Sequence, residues 1–454
     1  MQDKIGKYEL IKKLGKQLFA QSDVVKTGKA TQQDIKIAKQ FLTKAITATN
    51  PEVFASYFEH IIIAPEMGRR IVERIEDKSY ELGVRREQIE FILWLHEIGR
   101  LVNPHVYLKD ELIDLRLLKD FGIPKRITDM LLPLNEFKKA AISHNAASSF
   151  FSKLTPAQRI VNLADNFGKR DGKGKLFDLK SLSMYLKTER SRYGANLNWK
   201  PEYDLLQEET VEKTIAWLAE LGVDFAAVLK ELHDYGPKFV IVVRHGELDN
   251  PKNIVYNLDE VMMKEDIIHI SDYGRKQLEA LGRVILKKKF KVGKFRYSNQ
   301  TRAVESAQAL NKILKVKDFK IESRLRDAYA PGGYLEGMKM DEIKKNPGFV
   351  YDNKNLNKYN HEKPQDIVRR ITKVFTETVK TLEIGNTAIL LSHGDPIAWW
   401  INNQVSGKLP KPKELRNLIY PNKGEAIVVV IDPQEKFFTY YFLTDPTLKK
   451  GKMY

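Results

Sequence analysis

Two uninterrupted apolar runs constrain this 454-residue chain more than any other feature. Lys238-Phe-Val-Ile-Val-Val243 closes on Arg244-His245-Gly246, and Asn386-Thr-Ala-Ile-Leu-Leu-Ser392 closes on His393-Gly394-Asp395-Pro396. Runs this short and this continuous are strands buried on both faces, which occur in parallel sheets covered by helices on each side. The residues from 237 onward therefore predict an α/β, three-layer domain with a mostly parallel sheet. Ligands of open α/β sheets bind at the carboxyl ends of the strands, and here two strand ends each carry a histidine.

The histidines come with arginines. Tyr297-Ser-Asn-Gln-Thr-Arg302-Ala-Val-Glu-Ser-Ala-Gln-Ala-Leu310 reads as a strand end and a short turn leading into an amphipathic helix, with Arg302 in its first turn. A neutral imidazole is a competent nucleophile near neutral pH, and a phosphohistidine divides one difficult displacement into two easier ones. The charge on a transferring phosphoryl group spreads over its equatorial oxygens, so rate comes from fixed cationic donors. A guanidinium meets two such oxygens at once, a role that Arg244 and Arg302 fit.

Four ordered blocks, Arg244-His245-Gly246, Ile270-Ser-Asp-Tyr-Gly274-Arg-Lys-Gln277, Ser298-Asn-Gln-Thr-Arg302-Ala and Ser392-His393-Gly394, give residues 237–454 a resemblance to the histidine phosphatase superfamily. That group includes the cofactor-dependent phosphoglycerate mutases. The resemblance implies His245 as the phosphoryl acceptor, with Arg244, Arg302 and His393 contacting the phosphate. It also implies a proton donor within Arg324-Leu-Arg-Asp327-Ala-Tyr-Ala-Pro-Gly-Gly-Tyr-Leu-Glu336-Gly337. The Leu-Glu-Gly end aligns Asp327 with the acid, where the family usually has a glutamate; Glu336 and Glu247 are the competitors. The extended mutase signature is absent after Arg-His-Gly, where Glu247-Leu-Asp-Asn250 stands instead. Hydrolysis is thus expected over mutase chemistry, with no cofactor required in this half. Specificity is expected from the insertions at residues 248–269 and 346–365.

Charge agrees with an anionic, phosphorylated small substrate. Residues 237–454 hold 39 Lys and Arg against 26 Asp and Glu, whereas residues 1–236 hold 37 against 33. Such a field concentrates anions. The lysine runs Lys287-Lys-Lys289 and Lys449-Lys450 lack the interleaved aromatics of a nucleic-acid groove, so nucleic acid is not the expected partner. The absence of cysteine excludes disulfides, thiolate nucleophiles and cysteine-ligated metals. No run approaches the ~18 apolar residues of a bilayer span, and the N-terminus carries no apolar segment with a cleavage site. The expectation is a cytoplasmic enzyme of undetermined oligomeric state.

The first half reads as helical from Tyr8 through Leu232, up to a boundary at His233-Asp-Tyr-Gly-Pro-Lys238, where Gly-Pro ends the periodicity. Two segments stand out. Ile89-Glu-Phe-Ile-Leu-Trp-Leu-His96-Glu97-Ile-Gly99-Arg100 is an apolar helix ending in a histidine-carboxylate pair, and Pro156-Ala-Gln-Arg-Ile-Val-Asn-Leu-Ala-Asp165 presents an aspartate from another. Buried carboxylates need a partner, and a metal ion is one. These segments resemble the HD-domain phosphohydrolases over roughly residues 55–195. The resemblance implies a divalent metal (Mn, Fe, Co, Ni or Mg) on His60, His96, Glu97 and Asp165, with His144 where some members recruit a further histidine. Glu97 departs from the family's aspartate and adds a methylene to the site. An active phosphohydrolase, an altered metal site, and a metal-free sensing or assembly scaffold all remain open.

The expected organisation is therefore multidomain: an all-α HD-like domain at 1–235 followed by a histidine phosphatase domain at 237–454. Such a chain would be bifunctional, acting on a phosphorylated metabolite or nucleotide, or would catalyse only through its C-terminal half.

Overall fold

The computed structural model describes residues 2–50, 53–102, 110–131, 146–170, 176–185, 201–255, 268–328, 335, 337–345, 351, 356–358 and 360–443. It divides into two compact units, Met1–Pro237 and Lys238–Tyr454.

The N-terminal unit is helical. Its principal helices are α1 (Gln2–Phe19), α2 (Gln32–Thr49), α3 (Ala55–Arg74), α4 (Arg86–Leu95), α5 (Pro156–Phe167) and α6 (Pro201–Glu220). Local chemistry sets several starts: Thr31 with Asp34 and Thr155 with Gln158 form reciprocal capping boxes, and Pro156 occupies the first turn of α5, where no N–H is needed. Phe19, Phe41, Phe91 and Phe121 pack ring against ring at 5.1–6.0 Å between α1, α2 and α4. The crossing of α3 and α4 is tight because Gly68 has no side chain: a Cβ there would stand 2.5 Å from Leu93 Cδ1 and 2.8 Å from Ile89 Cγ2. The two helices stay close along their length, and His60, in the second turn of α3, lies beside His96, just past the end of α4.

The C-terminal unit is built on a six-stranded sheet in the order β3-β2-β4-β1-β5-β6. The strands are β1 (Lys238–Arg244), β2 (Lys291–Tyr297), β3 (Phe319–Ile321), β4 (Asn386–Ser392), β5 (Ala426–Ile431) and β6 (Phe437–Leu443). The β1–β4, β2–β4 and β2–β3 pairs are parallel, while β5 runs antiparallel to both β1 and β6. Mixed pairing thus replaces a fully parallel arrangement at one end. β1 and β4 lie at the centre with residues 239–244 and 387–392 all buried. Each Val, Ile or Leu hidden there contributes roughly 1.5–3 kcal/mol of transfer free energy.

Four helices matter for the site: α7 (Asp272–Lys287), α8 (Thr301–Leu314), α9 (Pro364–Lys380) and α10 (Gly394–Ser406). From β1 the chain goes to β2, past β4, and from β4 it goes to β5, past β1. The two connections leave in opposite directions, the topology that opens a crevice at the strand ends. Gly274 in the first turn of α7 fits against that crevice; a Cβ on it would meet the Glu247 carbonyl oxygen at 2.3 Å.

Candidate active site at the ends of β1 and β4

Strand register assembles the centre. Arg244 pairs with Ser392, so the next residues, His245 and His393, leave the sheet side by side. Their ring centroids are 5.2 Å apart and both are buried. Arg302 is also buried, and it stands in the first turn of α8, just beyond the end of β2. Arg244, His245, Arg302 and Asp327 line one cavity of about 240 Å³.

His245 Nδ1 lies 2.9 Å from the Gly246 carbonyl oxygen. A carbonyl only accepts, so Nδ1 carries the proton and Nε2 keeps its lone pair. Burial pushes the His245 pKa well below its ordinary value, and the nearby His393, Arg244 and Arg302 push the same way. The imidazole is neutral and nucleophilic. His393 is lowered likewise, by burial and then by Arg302, Arg370 and Arg244. Its Nε2 stands 2.9 Å from Ser298 Oγ, and Nδ1 faces Asp327 Oδ2 at 3.6 Å. Ser298 Oγ accepts from the Gln300 backbone N–H, which leaves its own proton for His393 Nε2.

Two buried nitrogens of this centre, Arg244 Nε and His393 Nδ1, have no hydrogen-bond partner among the described residues. A phosphoryl oxygen is an acceptor that satisfies such donors. Arg244 is otherwise held firmly: Nη1 donates to the Pro421 carbonyl at 3.0 Å, and the guanidinium sits 5.3 Å from the Tyr420 ring centre. Arg302 Nη2 donates to Asp327 Oδ2 at 3.1 Å and to Gln300 Oε1 at 3.3 Å.

Several supporting residues carry no signal in the sequence. Arg370 on α9 donates to the carbonyls of Arg324, Arg326 and Asp327 and pairs with Glu362, so it fixes the loop that presents Asp327. Ser306 accepts from the Gly246 N–H and donates to the Arg302 carbonyl, joining the histidine loop to α8. Asp395 accepts from the hydroxyls of Tyr351 and Tyr420 on the cavity wall. An arginine on a polar helix face and a serine one turn into another look like ordinary surface positions until the fold brings them inward.

Among the competing proton donors, Asp327 and Glu247 both line the cavity, while Glu336 lies outside the described residues. Both insertions named for specificity contribute described wall residues, among them Asn250, Val255 and Ile268 from the first and Tyr351 and His361 from the second.

In the helical unit, His60, His96, Glu97 and Asp165 offer donor atoms that all lie within 4.8 Å of one another; His144 lies outside the described residues. His60 Nδ1 faces the Gly168 carbonyl at 3.0 Å, and His96 Nδ1 faces the Leu93 carbonyl at 2.5 Å. Each Nδ1 therefore carries a proton, and the two Nε2 atoms confront each other at 2.8 Å. Two lone pairs at that distance repel unless a cation, proton or metal, lies between them. Asp165 Oδ1 completes the face at 2.9 Å from His60 Nε2 and 3.4 Å from His96 Nε2, and Glu97 Oε1 lies 3.5 Å from His60 Nε2. For His96, the hydrogen bond and charge of Asp165 outweigh burial and raise its pKa. Glu97 is lowered to about 2, with Arg100, His60 and His96 together overcoming its burial. Two imidazoles steadied through Nδ1 and two carboxylates are a donor set that fits a borderline divalent cation.

Residues 240–440 match the histidine phosphatase superfamily (branch 1). Solved structures similar to the chain include a mycobacterial glucosyl-3-phosphoglycerate phosphatase, at 17% identity over 46% of this chain and 96% of that one, with a TM-score of 0.34. YhfR of Bacillus stearothermophilus is 17% identical over 47% of this chain and 98% of its own (TM-score 0.36). The Entamoeba histolytica phosphoserine phosphatase in complex with 3-phosphoglyceric acid is 16% identical over 46% and 98% (TM-score 0.35). No curated protein sequence matches the chain. No described helix is long and apolar enough to cross a membrane. The family match stops short of the helical unit, and what it supports is residues 240–440 as a histidine phosphatase superfamily domain.

Proposed function

We propose that the C-terminal unit hydrolyses the phosphate monoester of a small metabolite or nucleotide through a phosphohistidine on His245. The observation that carries this reading is the neutral, buried His245, with Nε2 free, beside His393 and two buried guanidiniums at one cavity. In the first step the Nε2 lone pair forms a bond to phosphorus as the ester P–O bond breaks, and the leaving oxygen takes a proton from Asp327. In the second, a water oxygen attacks phosphorus, the N–P bond breaks, and the water proton returns to Asp327. Arg244, Arg302 and His393 hold the equatorial oxygens through both. A cavity of about 240 Å³ suits a small ester body.

Proton donation by Asp327 is tested by leaving-group dependence. Asp327→Asn should slow release of phosphate from an alkyl ester on the order of a hundredfold. Hydrolysis of p-nitrophenyl phosphate, whose leaving group needs little help, should change far less. Equal losses on both substrates would assign the proton to another group, with Glu247 next in line.

A second reading concerns the helical unit, because the opposed Nε2 atoms of His60 and His96 favour a bound cation. His60, His96, Asp165 and Glu97 would hold a divalent ion, and such an ion supplies Lewis acidity and a water acidified toward neutral pH. This is the HD-like phosphohydrolase reading, in which the chain is bifunctional; the rival is a metal-free sensing or assembly module. Purified full-length protein should contain close to one transition-metal ion per chain, and His96→Ala should lose it. Retention of metal by the variant would place the ion elsewhere.

A further inference from the structure

We propose that Arg100 is a built-in counter-cation that weakens metal binding at the His60–His96–Asp165–Glu97 cluster and lets the helical unit fold without metal. The inference rests on the metal reading above. Arg100 Nε is ion-paired with Glu97 Oε2 three residues earlier in the chain. The pair splits the two oxygens of Glu97: Oε2 is taken by the guanidinium, and Oε1 reaches His60 Nε2 at only 3.5 Å. Asp165, by contrast, presents one oxygen to both imidazoles, at 2.9 and 3.4 Å. Glu97 is thus drawn to the edge of the cluster, and its extra methylene is what lets it reach Arg100 and His60 together.

The consequence is electrostatic. A guanidinium keeps its charge in any protein environment, so a divalent ion arriving at Glu97 meets a fixed positive charge on the same carboxylate. The ion gains one Glu97 oxygen instead of two, and it is repelled by Arg100. The same contact compensates a carboxylate that would otherwise be buried and unpaired without metal. Accessibility agrees: the side chains of Asp165 and Arg100 are 38% and 21% exposed, whereas those of His60 and His96 are 2% and 5% exposed. Asp165 and Arg100 are thus the more exposed members of the group and the two histidines the more buried.

The test is calorimetric titration of chelator-stripped full-length protein with Mn²⁺, together with thermal melting with and without the ion. Arg100→Gln should bind Mn²⁺ at least about tenfold more tightly than wild type, because it removes a positive charge from the carboxylate that the ion shares. Its melting temperature should also rise more on adding Mn²⁺. Glu97→Asp, which is too short to hold Arg100 while facing His60, should tighten binding in the same direction and serves if the glutamine variant fails to fold. Unchanged or weaker binding in the variants, with wild type still binding, would overturn the counter-cation and make Arg100 a support for Glu97. If neither wild type nor variants bind Mn²⁺, the metal reading itself falls and the inference with it.

Discussion

His245→Ala is expected to lower phosphate release from a monoester by about three orders of magnitude or more, because it removes the atom proposed to form the covalent intermediate. The measurement is steady-state turnover of p-nitrophenyl phosphate in the presence of a chelator, so that any metal-dependent activity of the helical unit is silent. Wild-type protein quenched during turnover should carry an acid-labile, base-stable phosphoryl group, and the variant should carry none. The pH dependence adds a second check. Burial and neighbouring positive charge hold the His245 imidazole neutral well below its ordinary value of 6.5. The acid limb of kcat/KM, which reports the free enzyme, should therefore not show a histidine titrating near 6.5. Retained chelator-resistant turnover in the alanine variant would move the nucleophile to another residue.

Arg302→Ala should reduce kcat by roughly 10²–10³, the usual loss when one preorganised donor to a transition-state oxyanion is removed. Arg302 sits buried on the first turn of α8, so its guanidinium is aimed before substrate arrives. Because Asp327 and Gln300 are among its present partners, removal also frees the carboxylate proposed to give the proton. Arg302→Lys keeps the charge but not the planar fork, and should recover only part of the loss. Inhibition by inorganic phosphate should weaken in both variants. If kcat is unchanged and only KM rises, Arg302 binds ground state and transition state alike, and its role is attraction alone.

Legibility differed between the two halves for a physical reason. β1 and β4 match the two apolar runs to within one residue, because a strand buried on both faces needs an unbroken apolar run and leaves little else to read. The turn after β2 and the helix carrying Arg302 were equally readable. The antiparallel β5 was not, since Ala426–Ile431 has the same continuous apolar character as its parallel neighbours and direction leaves no mark on composition. Arg370 and Ser306 escaped notice, and Ser298 was quoted without a role, because each acts through a backbone carbonyl, amide or neighbouring ring supplied by a distant segment.

In the helical unit the HD-like resemblance nominated four metal-binding candidates, His96, Glu97 and Asp165 from two short stretches and His60 as a single residue, and the fold brings all four within 4.8 Å of one another. The sequence did not reveal the pairing of Arg100 with Glu97, although the two are three residues apart, because a charge pair at that spacing is usually an exposed surface contact.

What the sequence by itself determined, then, was the strand cores, the identity of the histidines and arginines, and the positions in the chain where they leave the sheet. Those follow from local rules of periodicity and side-chain chemistry. Only the tertiary structure decided that His245 and His393 emerge side by side, that the Gly246 carbonyl sets the His245 tautomer, and that Arg100 shares Glu97 with the cluster. Register, burial and hydrogen-bond geometry depend on which distant segments meet, and spacing along a chain does not record that.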